Sequence, residues 1–358
     1  MTTPDTAAAR RTLADRLEAD GALTSPALRA AVEAVPREPF LRPGVFVSTG
    51  RRRWRPVTER GADPAEWVEL AHSNRSLVTQ LNGHLTADQV SAPVRGFPTA
   101  STTAPAATVR MIDALGAEDG HTVLEIGAGT GYSTALLRHL LGERNVTTAE
   151  GDPEVTHDRV IATHAVRRIP HTWVRQTKPG GTILATVGTW PEGAGLAKVT
   201  VHADGTADGR IIGRSALPPV RPDRPVPPVG NLTARAATTE PKRLAHVSPT
   251  LLNNPAPAIL AQLSFPDAKF TVSIGEDLES IYCLSIPGSV AEVADDTYGW
   301  TVHQSGPVAL WDEVERILTA WQEAGRPDLT AVRLRITDRA THYWVDGHPA
   351  LRWEHTTT

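Results

Sequence analysis

One short segment, Val123–Tyr132, restricts the fold of this chain more than any other. It reads Val-Leu-Glu-Ile-Gly-Ala-Gly-Thr-Gly-Tyr, an apolar strand followed by three glycines at alternate positions. Glycine tolerates positive φ, so the run predicts a tight turn from a strand into a helix. The flanking pattern predicts strands at Thr122–Ile126 and Asn145–Ala149 and helices at Pro105–Leu115 and Tyr132–Leu141. Strands that alternate with helices predict an α/β fold with a parallel, doubly wound sheet.

The spacing of the glycines also predicts a ligand. Gly127, Gly129 and Gly131 form the pattern GxGxG, whereas a nicotinamide-binding fingerprint would read GxGxxG. Glu125 stands just before them, and this arrangement suits a cationic nucleoside without phosphates, such as S-adenosylmethionine. Glu150 follows Gly131 by nineteen residues, at the end of the next predicted strand, where its carboxylate could accept hydrogen bonds from both ribose hydroxyls.

Two points in this ligand prediction stay open. Glycine-rich turns between a strand and a helix also occur in proteins that bind nothing there. Asp152 either shares the ribose contact or is an exposed acid in a turn.

The rest of the chain divides by composition. Six of the eleven residues from Pro218 to Pro228 are proline, which predicts an extended linker. Ala203-Asp204-Gly205 predicts the turn of a β-hairpin, and the apolar stripe Leu310, Val314, Ile317, Leu318 and Trp321 predicts a late amphipathic helix. We therefore expect a helical or irregular extension at 1–100, a glycine-motif domain at 101–213, a Pro-rich linker at 214–258, and an α+β module at 259–358.

Composition excludes several function classes. The formal charge of -4 offers no broad basic face, so we expect neither a nucleic-acid nor a membrane partner but a peptide or a small molecule. The lone cysteine, Cys283, rules out an internal disulfide and a multi-cysteine zinc site. We predict a cytoplasmic protein without a metal.

Four segments together resemble a known family. They are Val35-Pro36-Arg37-Glu38-Pro39-Phe40, Ser101-Thr102-Thr103-Ala104-Pro105, the glycine motif, and Trp173-Val174-Arg175-Gln176-Thr177-Lys178-Pro179-Gly180-Gly181. They look like protein-L-isoaspartate O-methyltransferases, and the resemblance covers roughly residues 25 to 212. It is closest to the subgroup found beside ATP-grasp ligases in graspetide pathways, and there it extends to Leu77-Val78-Thr79-Gln80 and the C-terminal module.

The resemblance implies a Rossmann-like class I methyltransferase that uses S-adenosyl-L-methionine. It implies carboxyl O-methylation of an aspartate or isoaspartate in a ribosomally made, ATP-grasp-modified peptide, with a succinimide or aspartimide as the later product. An ATP-grasp ligase of the same pathway is then a possible partner. General repair of isoaspartate in damaged proteins is an alternative within the same class.

The resemblance also implies catalytic residues. Thr103 occupies the place of the family's substrate-gripping hydroxyl, and Ser101 and Thr102 could hydrogen-bond a carboxylate oxygen. Capping of the helix that begins at Pro105 is an equally good reading of these hydroxyls. His164 follows a predicted strand at the edge where ligands bind, and it is either a contact to peptide or cofactor or an ordinary core or surface histidine.

The chain departs from the family at one place. Only eight residues lie between Glu150 and Arg159, whereas a parallel crossover normally needs at least about 10 to 12 residues. We therefore expect a shortened sheet with one crossover missing and an open adenine side. This departure leaves a third hypothesis, a degenerate, non-catalytic methyltransferase that binds peptides for its pathway.

Overall fold

The computed structural model describes residues 6–50, 52–148, 154–219, 243–274, 280–296 and 299–356. Contacts divide the chain into two compact units, Met1–Thr163 and His164–Thr358. No helix in these ranges is long and apolar enough to span a bilayer.

The first unit holds a five-stranded sheet and a parallel three-stranded sheet with helices around them. Its elements are α1 Ala7–Ala19, α2 Pro26–Ala34, β1 Val45–Gly50, β2 Arg53–Val57, α3 Pro64–Ala71, β3 Leu77–Leu81, β4 Val94–Arg95, β5 Pro98–Thr102, α4 Pro105–Leu115, β6 Val123–Ile126, α5 Tyr132–Leu141, β7 Val146–Thr148 and β8 His157–Val166. The unit boundary falls inside β8.

The parallel sheet agrees with the prediction from the glycine motif. β6 pairs in parallel with β7 on one side and with β8 on the other, with Leu124 opposite Thr147 and Val160. The chain passes from β7 to β8 in residues 149–156, of which 149–153, including Glu150 and Asp152, lie outside the described residues. The order β8-β6-β7 therefore places the carboxyl ends of three parallel strands at one edge, beside the glycine loop.

The prediction of a helical or irregular segment at 1–100 was incomplete. α1 and α2 are present, but residues 45–102 form an antiparallel sheet in the order β4-β2-β1-β3-β5. Irregular register between β1 and β2, and again between β3 and β5, breaks the alternation of apolar residues that would have predicted these strands. Apolar cores lie on both faces, one around Trp67 of α3 and one around Phe46.

The second unit is mostly antiparallel. Its elements are α6 His171–Arg175, β9 Thr177–Val187, β10 Gly195–Val201, β11 Ala207–Arg214, β12 Arg243–Leu244, α7 Pro255–Ser264, β13 Lys269–Ile274, β14 Ser280–Ile286, β15 Ser289–Asp296, β16 Gly299–Ser305, α8 Leu310–Glu323, β17 Val332–Ile336, β18 Ala340–Val345 and β19 Arg352–Thr356. One sheet runs β12-β16-β15-β14-β13, and β9 to β11 join β17 to β19.

The predicted hairpin and amphipathic helix are confirmed, but the domain boundaries differ. β10 and β11 pair across the turn that contains Gly205, and α8 buries the predicted stripe. The structure separates the chain after Thr163 instead of keeping 101–213 together, because β11 pairs with β17 of the C-terminal part. Within the predicted linker, residues 220–242 lie outside the described residues, while β12 and the start of α7 occupy part of 243–258.

A buried arginine is hydrogen-bonded to two other stretches of the first unit, residues 71–75 and Thr103. The Arg37 side chain is only 1% exposed, and its two terminal nitrogens donate to the carbonyl oxygens of Ala71, Ser73, Arg75 and Thr103 at 3.0 to 3.2 Å. Its guanidinium carbon lies 5.8 Å from the centre of the Tyr132 ring. Burial lowers the pKa of Arg37 to about 10, so the group stays charged at neutral pH.

The neighbouring residue is a second buried charge. Glu38 is 5% exposed, and its Oε2 lies 3.3 Å from Nε2 of the buried His72. Burial by itself would raise the pKa of Glu38, but hydrogen bonds from His72, Thr6 and the backbone outweigh it and lower the pKa to about 2. The carboxylate therefore stabilises the fold in its ionised form.

Replacing Arg37 with lysine should destabilise the first unit. An ammonium cannot reproduce the planar fork, so some of the four carbonyls would be left buried without donors, at about 1 to 3 kcal/mol each. We expect Arg37→Lys to lower the free energy of unfolding by about 3 kcal/mol or more in urea titrations. Arg110→Lys is the control, because Arg110 is exposed and reaches a single carbonyl, that of Asp20. An unfolding free energy of Arg37→Lys equal to that of this control would contradict the assigned role.

Glu38→Gln should remove a pH-dependent part of the stability. Since folding lowers the pKa of Glu38 from 4.5 to about 2, its contribution is complete above pH 4.5 and is lost as the pH falls toward 2. The shift corresponds to roughly 3 kcal/mol. Unfolding titrations should show the largest difference between wild type and Glu38→Gln near neutral pH and a shrinking one toward pH 3. Glu118→Gln, which removes an exposed carboxylate, should show no such trend.

Candidate functional site

The glycine loop turns from β6 into α5 at three positive-φ positions. Gly127, Gly129 and Gly131 have φ of 80°, 56° and 92°. Gly131 is the N-cap of α5, and any side chain would be strained at this φ. A Cβ on Gly129 would find, among the described atoms, only the Gly127 carbonyl oxygen within 4 Å, at 3.8 Å. The backbone of the loop is therefore open to close approach by a ligand.

Glu125 is hydrogen-bonded to the helix that follows the glycine loop. It is fully buried on β6, and its two carboxylate oxygens accept hydrogen bonds from Ser133 Oγ and from Thr134 Oγ1, the latter at 2.5 Å. Burial raises the pKa of Glu125, although both hydrogen bonds oppose the rise. The carboxylate thus fixes the first turn of α5, and a direct contact with a cofactor stays a prediction.

The loop has a second support that the sequence did not indicate. Thr163 Oγ1 on β8 donates to the Gly127 carbonyl and lies 3.4 Å from the Ile126 carbonyl. A threonine in an apolar strand carries no recognisable signal, because the partner is a backbone atom 36 residues away. The glycine loop is therefore anchored by one side chain from each of two parallel strands, Glu125 and Thr163.

The predicted substrate-binding segment lies against this loop. Thr130 Oγ1 donates to Thr102 Oγ1 at 3.5 Å, so the end of β5 meets the middle of the glycine motif. Thr102 is buried, Thr103 is half-buried and Ser101 is exposed. The first unit thus brings the candidate substrate hydroxyls and the candidate cofactor loop together.

The alternative role of these hydroxyls, capping of α4, does not fit. Ala104 is the N-cap and makes no side-chain cap. The first turn is satisfied from elsewhere, since Asn74 Oδ1 accepts from Ala106 N–H at 3.0 Å and Ser76 Oγ accepts from Ala104 N–H at 3.2 Å. Arg37 holds the Thr103 carbonyl, so the hydroxyl is presented from a fixed backbone.

A cavity of about 580 Å³ opens beside the loop. Its walls include Ala128 and Gly131 of the loop, Phe40, Arg138 of α5, and Thr148 at the end of β7. The volume falls in the usual range for small-ligand sites. Thr148 is the last described residue of β7, and the predicted ribose acid Glu150 lies outside the described residues. These residues fit a nucleoside cofactor at the carboxyl edge of the parallel strands.

His164, the third predicted catalytic residue, does not belong to the same unit as Ser101 and Thr103. It belongs to the second unit, where its ring meets Trp173 edge-on at 6.2 Å between centroids. Its catalytic role stays a prediction. Among the described residues no group of histidine, cysteine, aspartate and glutamate is arranged to hold a metal ion.

Comparisons with known proteins relate this chain to one family of enzymes. The family model described as protein-L-isoaspartate(D-aspartate) O-methyltransferase matches residues 89–156, which include Ser101–Thr103 and the glycine loop. A protein-L-isoaspartate O-methyltransferase of Azorhizobium caulinodans is 34% identical over 113 residues, which are 24% of this chain and 52% of that enzyme. The enzyme of that name from Anaeromyxobacter dehalogenans is 32% identical over 145 residues, 30% of this chain and 69% of that enzyme.

A solved structure of a protein-L-isoaspartate O-methyltransferase aligns with a TM-score of 0.49 at 18% identity, covering 94% of this chain and 99% of that chain. The chain spans about half the length of the first of the two relatives above and about two thirds of the second. The family segment at 89–156 includes the glycine loop and the hydroxyl segment that the structure brings together. Because it is 32% identical to the Anaeromyxobacter dehalogenans enzyme and covers 69% of it, the chain belongs to the protein-L-isoaspartate O-methyltransferase family.

Proposed function

We propose that this protein is an S-adenosylmethionine-dependent carboxyl O-methyltransferase that acts on an aspartate or isoaspartate of a peptide. The observation that carries the proposal is the 3.5 Å contact between Thr102 and Thr130. It joins the segment predicted to bind the acceptor carboxylate to the loop predicted to bind the methyl donor. Family membership, with the glycine loop inside the matched segment, supports the same activity.

The residues of the site suit a reaction that depends on alignment. S-adenosylmethionine supplies a methyl group bonded to a sulfonium sulfur. An oxygen nucleophile attacks the methyl carbon, and S-adenosylhomocysteine leaves. A carboxylate acceptor has a reference pKa of about 3.9 and is already ionised at neutral pH, so no general base is required. The task of Thr103, and of Ser101 beside it, is to hold one carboxylate oxygen so that the other faces the methyl group.

We propose further that the acceptor lies in a ribosomally made peptide modified by an ATP-grasp ligase, and that the ester collapses to a succinimide or aspartimide. Support comes from the sequence resemblance, which extends beyond the matched family segment to Leu77–Gln80 and the C-terminal part. General isoaspartyl repair is the alternative for the same site. A cyclised precursor methylated faster than a simple isoaspartyl peptide would favour the dedicated substrate.

One observation favours a different class of function. Only eight residues, 149–156, connect β7 to β8. A normal crossover of at least about 10 to 12 residues would have room for a helix beside the adenine. A cavity less closed on that side would hold the cofactor weakly, and a chain that binds peptide without cofactor would be a non-catalytic pathway protein.

Calorimetric titration with S-adenosylhomocysteine tests the cofactor site. We expect micromolar binding that Gly129→Ala abolishes, because the added methyl group points into the open space above the loop. Gly21→Ala is the matched control, since Gly21 has a similar φ of 62° and lies outside the loop. Both variants should lose about 1 to 2 kcal/mol of stability through backbone strain, but only the loop variant should lose binding. A folded wild type that does not bind would sink the enzyme hypothesis.

Methyl transfer tests the hydroxyl of Thr103. Thr103→Val keeps the shape and removes the hydrogen bond, so kcat/KM on the methyl-accepting peptide should fall at least about tenfold. Thr103→Ser keeps the hydroxyl and should stay within about threefold of wild type. Transfer of radiolabelled methyl groups to an isoaspartyl peptide and to a cyclised precursor gives the readout, with S-adenosylhomocysteine binding as the control for cofactor affinity. Equal activity of the valine and serine variants would exclude this role.

A further inference from the structure

Three arginines and a phenylalanine form an exposed patch on the first unit that the proposed chemistry does not use. The arginine–phenylalanine patch consists of Arg52, Arg53, Arg95 and Phe97, at the β4 side of the five-stranded sheet. All four side chains are exposed. Phe97, at 57%, is the most exposed large apolar side chain among the described residues. A cluster of one charge sign around an aromatic ring is a feature of binding surfaces.

Two of the arginines face each other across strands. β2 and β4 are antiparallel, and Arg53 lies directly opposite Arg95. Like charges at such a pair of positions destabilise a sheet. No carboxylate in the described residues lies within ion-pair distance of either arginine. An anionic partner would relieve this repulsion.

The row of residues on β2 shows why Arg53 remains without an acid. Val57, Arg55 and Arg53 point to the same face, since side chains alternate along a strand. Val57 is buried in the core under α3, and Arg55 pairs with Glu66 of α3 at 2.5 to 2.8 Å. Arg53, two residues farther, makes no ion pair with α3 among the described residues, since the pair between β2 and this helix is Arg55–Glu66. Its charge is therefore available to a partner.

The aromatic residue is held rigidly. Phe97 N–H donates to Asn82 Oδ1 at 2.9 Å, and its carbonyl accepts from Asn82 N–H at 2.9 Å. The Arg52 guanidinium carbon lies 4.5 Å from the centre of the Phe97 ring. Gly96 N–H donates to the Arg52 carbonyl at 3.1 Å, and Trp54 Nε1 donates to the Gly96 carbonyl at 3.0 Å. These contacts fix the two segments that carry the patch before any partner binds.

We propose that the patch binds an acidic stretch of the peptide substrate, an inference that rests on the proposed methyltransferase function. β4 is the outer strand of this sheet among the described residues, so an extended chain can pair with its free edge while its carboxylates meet the arginines. A peptide suits this combination of strand edge, arginines and aromatic ring.

The position of the patch along the chain sets a distance. Phe97 directly precedes β5, which includes Ser101 and Thr102 and is followed by Thr103. Six extended residues from Phe97 to Thr103 span roughly 20 Å. The acidic stretch of the substrate therefore lies about six residues from the carboxylate that accepts the methyl group.

Fluorescence anisotropy with the full chain and a labelled synthetic peptide tests the proposal. The probe is a glycine-spaced peptide of aspartate and glutamate, at low salt and without cofactor. Arg53→Ala/Arg95→Ala should weaken binding about tenfold, and Phe97→Ala should weaken it as well. Arg11→Ala/Arg16→Ala is the matched control, because it removes two exposed arginines from α1 and should leave the affinity unchanged. Affinity should fall with salt in wild type more steeply than in the Arg53→Ala/Arg95→Ala variant.

The outcomes separate this proposal from the proposed function. Equal loss in both double variants, or no peptide binding by a chain that binds S-adenosylhomocysteine, would overturn the patch while leaving the methyltransferase in place. Peptide binding that depends on Arg53 and Arg95 in a chain that does not bind S-adenosylhomocysteine would support the patch and remove the enzyme. Stronger patch-dependent binding of a single-stranded oligonucleotide of equal charge would overturn the assignment to a peptide.

Discussion

The first unit depends on a single buried guanidinium. Arg37 makes no ion pair with a carboxylate among the described residues but donates to four carbonyls in two stretches, 71–75 and Thr103, and faces Tyr132 at the start of α5. A buried charge is costly unless hydrogen bonds replace its lost hydration, and the carbonyl oxygens do so here. The same cost favours the native backbone conformation. A conformation that moves either stretch away from Arg37 leaves both buried N–H groups of the guanidinium and a carbonyl oxygen without hydrogen bonds.

A series of hydrogen bonds connects Arg37 to the glycine loop. Arg37 fixes the backbone at Thr103, Thr102 meets Thr130 of the glycine loop, and Glu125 and Thr163 hold the loop from the two neighbouring strands. Every link is a hydrogen bond, to a backbone carbonyl, between two hydroxyls, or from a hydroxyl to a carboxylate. These contacts fix the backbone and hydroxyl groups beside the glycine loop, and the proposed reaction depends on such alignment. Burial within this framework raises the pKa of Glu125.

The structure changed the meaning of several sequence signals. Glu125 is predicted from the sequence as a cofactor contact, and the structure adds that its two oxygens accept hydrogen bonds from Ser133 and Thr134 of α5. The hydroxyls before Pro105 fitted helix capping, yet Asn74 and Ser76 supply the cap from the loop before β3. In each case the deciding partner lies on another element, and local sequence carries no information about it.

Sequence alone determined the elements with strong local patterns: α4, β6, the glycine turn and α5, the hairpin β10–β11, and the amphipathic α8. Their apolar periodicity and glycine positions are properties of neighbouring residues, so they are readable without a fold. Only the tertiary structure decided the five-stranded sheet of residues 45–102, the pairing of β11 with β17, and the chain of contacts from Arg37 to the glycine loop. These features rest on strand pairing and buried hydrogen bonds between residues far apart in sequence, and the pattern within one segment does not identify its partner.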